Sequence, residues 1–354
     1  MNARDRVRAV LDGDTPDRIP QLIYSNFLPR GSFERRLRNM GVGLDVHCSV
    51  HKTDSPHVRQ ESRTEGDYEI TDIITPMGNL RSKSRINMTF QNPGGRWRVE
   101  HAVKSVEDLE VLNFMIEDMT YQPDHDNYAR LESELGGDGV VTVGTSRTPL
   151  MHLIVYFLGY RTFAVMLHRH RKALDETVAI ADRSFTEICS IVAESPAEIV
   201  WVPDNIDEVL MPANLFEKYC LPYYQKYTTI LQKRGKKVIS HMDGRLKSLK
   251  GLIGKTKLDA IEAFTPPPMG NLPISEAREA WPGKVLWLNF PQVVFLETRE
   301  KIREFTLHLM KEMGDGSGFI VGMTEDIHPD HYRKGMVALT STLHRNGRLP
   351  LSKL

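Results

Sequence analysis

The sequence predicts an α/β protein built as a closed (β/α)8 barrel with N-terminal elaborations, and three observations support this. From Gly139 onward, short apolar runs alternate with stretches of helical periodicity, the pattern of a parallel sheet covered by helices. Several of these runs stop at polar or acidic residues, as expected when one site is assembled at the C-terminal strand ends. The 354 residues suit one large domain, and no G-x-G-x-x-G follows an early strand, as an open dinucleotide-binding sheet would require.

In chain order, Arg4 to Leu11 reads as an amphipathic helix, and the turn DGDTPDRIP delivers the chain to the apolar strand IPQLIY. Tyr24 and Asn26, at its end, are candidate substrate contacts. From Asn26 to Gly41 the chain is rich in arginine. Over about residues 45–100 the pattern changes to short polar strands, with TPMGNLRSKS and NPGGRW as hairpin connections. This stretch reads as a polar insertion into a single domain spanning 1–354, and its histidines His47, His51 and His57 read as solvated loop residues. In SVEDLEVLNFMI, Ser105 followed by Asp108 predicts an N-capped helix.

GVVTVGTS is the next strand, and Pro149 to Leu158 is helical, with His152 and Tyr156 on one face; Tyr156 is assigned to pocket lining. Tyr160 to Val192 continues the helical pattern. EIVWVPDN ends in Asp204 and Asn205 and precedes a helix from Leu215 to Arg234, in which Cys220 reads as a small core residue. KKVISHMDG precedes Leu246 to Ile253, and DAIEAFTP precedes Ser275 to Ala280. KVLWLNFP carries Asn289 ahead of Arg299 to Met313, and GFIVGMTED ends in Glu325 and Asp326 ahead of His331 to Arg345. GLIGKTK lacks the first glycine of a phosphate-binding loop.

The chemistry concentrates at these strand ends. His241 and Asp243 are two positions apart and so share one face of their strand. Glu262 sits inside the apolar AIEAF, where an unpaired carboxylate is expensive to bury; it needs a metal, an arginine, a substrate or a buried ion-pair partner. Glu325 is expected in the barrel mouth and Asp326 at the cap of the helix after Pro329. Forty-six basic residues balance forty-six acidic ones, so no global field favours nucleic acid or an anionic membrane. The N-terminus has no apolar signal core, and no segment is expected to supply the roughly 20 apolar residues of a membrane span. With three scattered cysteines and no disulfide framework, the expected location is cytoplasmic.

RDRVRAVLDGDTPDRIP, VPDNIDEVLMPANLFEKYCLPYYQKY, GKKVISHMDG and LDAIEAFTPPPMGNLPISEAREAWPGKVLWLNF resemble the uroporphyrinogen decarboxylase superfamily, which includes decarboxylases and related cobamide-dependent methyltransferases. The resemblance implies a TIM-type barrel and a homodimer. Where the decarboxylases carry an arginine-rich R-Q-A-G-R, this chain reads SNFLPRGSF, with Arg30 alone; their aspartate-serine pair becomes Asp204 and Asn205, and their late histidine gives way to GMTED. The methyltransferase branch binds zinc through H-x-C and a later cysteine, and the corresponding residues here are His241, Asp243 and Glu325. The resemblance therefore implies transfer of a methyl group from a small methoxy or N-methyl compound to a corrinoid, carried by a corrinoid protein. His241, Asp204 and Glu262 would be catalytic, and Tyr24, Asn26, Asn205, Tyr156 and Asn289 would contact substrate. The alternatives are a metal-free decarboxylase of an aromatic or tetrapyrrole acid, using Asp204 and His241, and a non-catalytic binding barrel.

Overall fold

Eight parallel strands close into a barrel in the computed structural model, which describes residues 1–88, 90 and 95–351. They are β1 (Gln21–Tyr24), β2 (Val42–Cys48), β3 (Gly139–Gly144), β4 (Ile199–Val202), β5 (Lys237–His241), β6 (Ala260–Phe264), β7 (Val285–Asn289) and β8 (Phe319–Gly322). Each pairs with its neighbours in the chain, and β8 returns to β1. Strands buried on both faces need side chains that suit an apolar interior on either side, which explains the near-continuous apolar runs. Helices follow the strands and cover the outside, as the alternation predicts.

Alternate residues face the barrel axis. Leu22, Val140, Ile199, Ile239, Ala260, Val285 and Ile320 pack inside with Val7, Val10 and Leu11 of helix α1 (Ala3–Asp12). Helix α1 thus plugs the N-terminal end of the barrel. Its start is fixed by Asn2, whose side chain accepts from the Asp5 N–H while the Asp5 carboxylate accepts from the Asn2 N–H. Gly43 permits the close approach, since a Cβ there would lie 2.7 Å from both Ala3 Cβ and Leu22 Cδ2. Two residues further along each strand, the same inward parity presents Tyr24, Asp45, Thr142, Trp201, His241 and Glu262. The interior therefore changes from an apolar plug to a polar layer in one step along the axis.

The excursion from the barrel begins at Ser49, because residues 42–48 form a barrel strand instead of insertion. It also runs past residue 100, and the barrel resumes only at Gly139. It holds a two-stranded sheet, His51–Asp54 with Thr120–Pro123, and a four-stranded meander, Arg59–Glu65, Tyr68–Thr75, Gly78–Arg85 and Trp97–Glu100. Thr75 pairs directly with Gly78, so TPMG is the hairpin turn expected. Of NPGGRW, Asn92 to Gly94 lie outside the described residues. Ile73 and Leu80 anchor the meander to the barrel through the helix Asp108–Glu117. That helix is not capped by Ser105; instead the Asp108 carboxylate accepts from the backbone N–H of Lys104 and Ser105.

Two helical expectations change. The helix expected from Leu215 to Arg234 is two, Ala213–Tyr219 and Leu221–Gln232, broken at Cys220. Pro222 has no N–H to give the preceding turn. The helical stretch Pro149–Arg169 is long and apolar enough, by length and composition alone, to cross a membrane, contrary to expectation. Its Leu150, Met151, Leu153, Ile154, Phe163 and Met166 are buried inside the protein, where the helix packs against the long helix Arg171–Glu194.

Candidate active site

The C-terminal end of β5 brings His241 into contact with Glu262 on the adjacent β6. His241 Nδ1–H donates to Glu262 Oε2 at 2.7 Å, and both groups are buried, at 8% and 1% exposure. Glu262 also accepts from the Tyr24 hydroxyl on Oε1 at 2.8 Å and from the Trp201 indole N–H on Oε2 at 3.0 Å. The partner that its burial demanded is thus an imidazole, supported by two neutral donors. A bulge makes room for this. Ala263 has φ 57°, rare for a residue with a side chain, and the β6–β7 register slips between Ile261 and Phe264. The slip turns Phe264 out of the barrel onto Trp281, with ring centroids 5.8 Å apart, and leaves the space above Glu262 to His241.

Asp243 faces the other ring nitrogen, its Oδ2 lying 3.4 Å from Nε2, too long for a strong charge-assisted bond. Burial by itself would depress the basicity of His241, but the Glu262 charge and the hydrogen bonds of Asp243 and Glu262 raise it to about 10. The ring is therefore an imidazolium with Nδ1–H fixed on Glu262 and Nε2–H turned to Asp243 at the strand end. Burial would raise the Asp243 carboxyl, yet the hydrogen bond from His241 holds it below its ordinary value. Glu325 lies near enough for burial and then the Asp243 charge to raise it. Asn289 Nδ2 donates to Glu325 Oε1 at 3.2 Å and to Thr265 Oγ1 at 3.0 Å, while its own oxygen accepts from the Thr324 N–H. Asn289 therefore positions Glu325. Asp326 does not cap the last helix; it accepts from the Phe90 N–H, and His328 supplies the cap.

A second inward pair was missed. Asp45 and His47 on β2 share the inward parity, so His47 is not a loop residue. Its ring stacks on Trp201 at 4.4 Å and meets Tyr24 edge-on at 4.5 Å. Asp45 is buried and accepts from Thr142 Oγ1 at 2.7 Å, with its other oxygen 3.2 Å from His47 Nε2. Burial is the largest influence on His47 and lowers its basicity, but the charge and hydrogen bond of Asp45 and the charge of Glu262 together outweigh it, and the net shift is upward. The signal was present in the sequence: D-x-H in VGLDVHC is the reverse of H-x-D, with the same period of two.

The remaining candidates lie elsewhere. Asp204 is fully buried away from His241 and accepts from the Thr148 N–H at 2.9 Å, the Thr148 hydroxyl at 2.8 Å and the Tyr224 hydroxyl at 2.7 Å. It braces the loop after β3 against the helix that follows β4. Asn205 and Tyr156 meet instead at Arg147: Arg147 Nη1 donates to Asn205 Oδ1 at 2.7 Å, and the guanidinium lies 5.5 Å from the Tyr156 ring centre. Asn26 is exposed beyond β1. Arg147, in VGTSRTP, was not singled out from sequence. Cys220 is fully buried, with its thiol pushed well up by burial.

Among the described residues no three His, Cys, Asp or Glu side chains are grouped so that they could hold one metal ion, and His241, Asp243 and Glu325 are not drawn together as a ligand set in this arrangement.

The family model described as Uroporphyrinogen decarboxylase (URO-D) matches residues 85–346. Among solved structures, a methyltransferase from Methanosarcina mazei superposes with a TM-score of 0.60 at 12% identity, covering 98% of this chain and 99% of that one. At that identity the likeness shows the fold. A putative vitamin-B12 independent methionine synthase from Listeria monocytogenes gives a TM-score of 0.38 at 12% identity, over 67% of this chain and 68% of that one. None of the curated proteins matches the chain at the sequence level.

Proposed function

This chain belongs to the uroporphyrinogen decarboxylase family, and we propose that it is a methyltransferase that removes the methyl group from a small methoxy or N-methyl compound. The acceptor is a corrinoid carried by a partner protein. The observation that carries this reading is the buried His241 imidazolium, with Nδ1–H locked on Glu262 at 2.7 Å and Nε2–H held only by the longer 3.4 Å contact to Asp243, which a ligand can take over.

Demethylation breaks the bond between the methyl carbon and an oxygen or nitrogen, and the electron pair stays on the heteroatom. That departure is slow unless the developing charge is met by a fixed donor. His241 Nε2–H supplies it. Against the effect of burial, the Glu262 and Asp243 carboxylates hold its basicity well above that of an ordinary imidazole, so the ring is charged and carries the proton when the heteroatom departs. Glu262 stays in place and keeps the neutral ring's Nδ1–H. Trp201 and Tyr24 hold Glu262 in turn, and the stacked His47 and Trp201 rings offer a flat wall to an aromatic substrate. A reduced corrinoid, docked by its protein, supplies the nucleophile that takes the methyl group.

Mixing the protein with a Co(I) corrinoid protein and a panel of methoxy and N-methyl compounds tests the reading. Loss of the Co(I) spectrum with one of them, persisting after dialysis against chelator, is expected. Carbon dioxide release without corrinoid, or an unchanged spectrum across the panel, would sink it.

A further inference from the structure

At the strand ends, Arg147 is a cation that forms no ion pair among the described residues, although its charge is felt by the carboxylates of Asp204 and Asp243. It follows β3 at the catalytic end of the barrel and is half-buried. Among the described residues it forms no ion pair with any carboxylate; Nη1 donates only to the Pro203 carbonyl and to Asn205 Oδ1. Nη2 has no protein partner, and Nε is closed off from solvent with none either. Arg4 and Arg38 pair with Glu132 and Glu34, whereas Arg98 and Arg278 are met by backbone carbonyls; Arg147 differs from these in carrying a buried Nε with no partner among the described residues. A guanidinium cannot shed its charge, and leaving its donors unmade in a partly dry setting is unfavourable.

The surroundings hold the group for a ligand. Arg147 Cζ lies over the Tyr156 ring, 5.5 Å from its centre, a cation–π contact that leaves N–H donors available. His152 brings no negative charge, since an imidazole is neutral or positive, and burial and then the Arg147 charge keep it neutral. Arg147 follows β3 and is anchored on Pro203 and Asn205 just past β4, at the strand ends that also present His241.

We infer that Arg147 is a specificity-determining residue that captures a carboxylate on the methylated substrate, placing the leaving atom at His241 Nε2. A planar carboxylate matches the guanidinium fork. A single guanidinium with Asp243 in range suits this monoanion better than a phosphate dianion. The inference rests on the methyl-transfer reading for the identity of the substrate, and not for the capture itself.

Calorimetric titration of the full chain with 4-methoxybenzoate and with uncharged 4-methoxybenzamide tests it without turnover. The acid should bind at least about 10-fold more tightly than the amide. In Arg147→Ala and Arg147→Gln the acid should fall to the level of the amide, whose own affinity moves less than about 3-fold, and Arg147→Lys should keep part of the preference. Equal binding of acid and amide by the unaltered protein overturns the inference, and this arm needs no variant to fold. So does a preference that survives both neutral replacements, and so does the lack of saturable binding by 4-methoxybenzoate, benzoate and acetate up to ~10 mM. If the acid is preferred while no methylated compound changes the Co(I) spectrum, methyl transfer has failed and the anion site stands.

Discussion

Two buried carboxylates, Asp204 just past the end of β4 and Glu262 on β6, do opposite things. Asp204 is met by three neutral donors from Thr148 and Tyr224 and has no exposed surface. Glu262 is met by two neutral donors and one imidazolium, whose second N–H is turned to Asp243 at the longer distance of 3.4 Å. A network that closes on itself through neutral donors is a brace. One that ends in a loosely held charged donor at the strand ends is a site. Burial and residue type are the same in both, and the difference lies in where the last proton points.

The largest effect expected is on His241→Ala. Losing a general acid lowers turnover about 10²- to 10⁴-fold, read as the rate of Co(I) disappearance, with the fold intact by circular dichroism; a rate within a few-fold of the unaltered enzyme would place the chemistry elsewhere. Glu262→Gln comes next, since it strands a buried imidazolium. A loss of about 3 to 5 kcal/mol in urea unfolding is expected, together with a lowered His241 titration by NMR. An unshifted titration would mean that Asp243 alone holds the charge.

Asp204→Asn should lower stability by about 1 to 3 kcal/mol while the folded fraction turns over at nearly the original rate. A turnover loss matching that of His241→Ala would erase the distinction between brace and site. The pH dependence of stability separates them too. His241 binds its proton more tightly folded, at about 10, than unfolded, near 6.5. Its contribution is fully present below about 6.5 and is lost as pH rises through about 10. Denaturation midpoints across that window should fall in the unaltered protein and flatten in His241→Ala. The smallest effect belongs to Trp201→Phe, which keeps an aromatic face against His47 and removes the N–H to Glu262. It should cost about 1 kcal/mol, and no measurable change in stability or turnover would show that Tyr24 and His241 suffice to hold the carboxylate.

Much of this was legible along the chain. Strand ends rich in polar residues named the catalytic face, and the period of two placed His241 with Asp243. The cost of burying an unpaired carboxylate singled out Glu262 before its partner was known. Other residues escaped for physical reasons. His47 sits at the end of β2, which runs almost directly into the polar excursion strands, so its D-x-H parity merges with the polar pattern that follows. Asp204 looked like a strand-end acid in the mouth, yet the chain turns just after β4 and carries its side chain into the Thr148 and Tyr224 hydroxyls. Arg147 stood in a loop, where exposure is the ordinary expectation.

The sequence by itself determined the alternation of strand and helix, the amphipathic helix α1, and the shared face of H-x-D, because these follow from periodicities local to a few residues. Tertiary structure alone decided which charges meet. The bulge at Ala263 brings Glu262 under His241, and the barrel's closure sets Tyr24 of the first strand against Glu262 of the sixth, 238 residues apart. It also left Arg147 without an acid. Whether a charge is paired depends on distances across the barrel, and no pattern along one strand contains them.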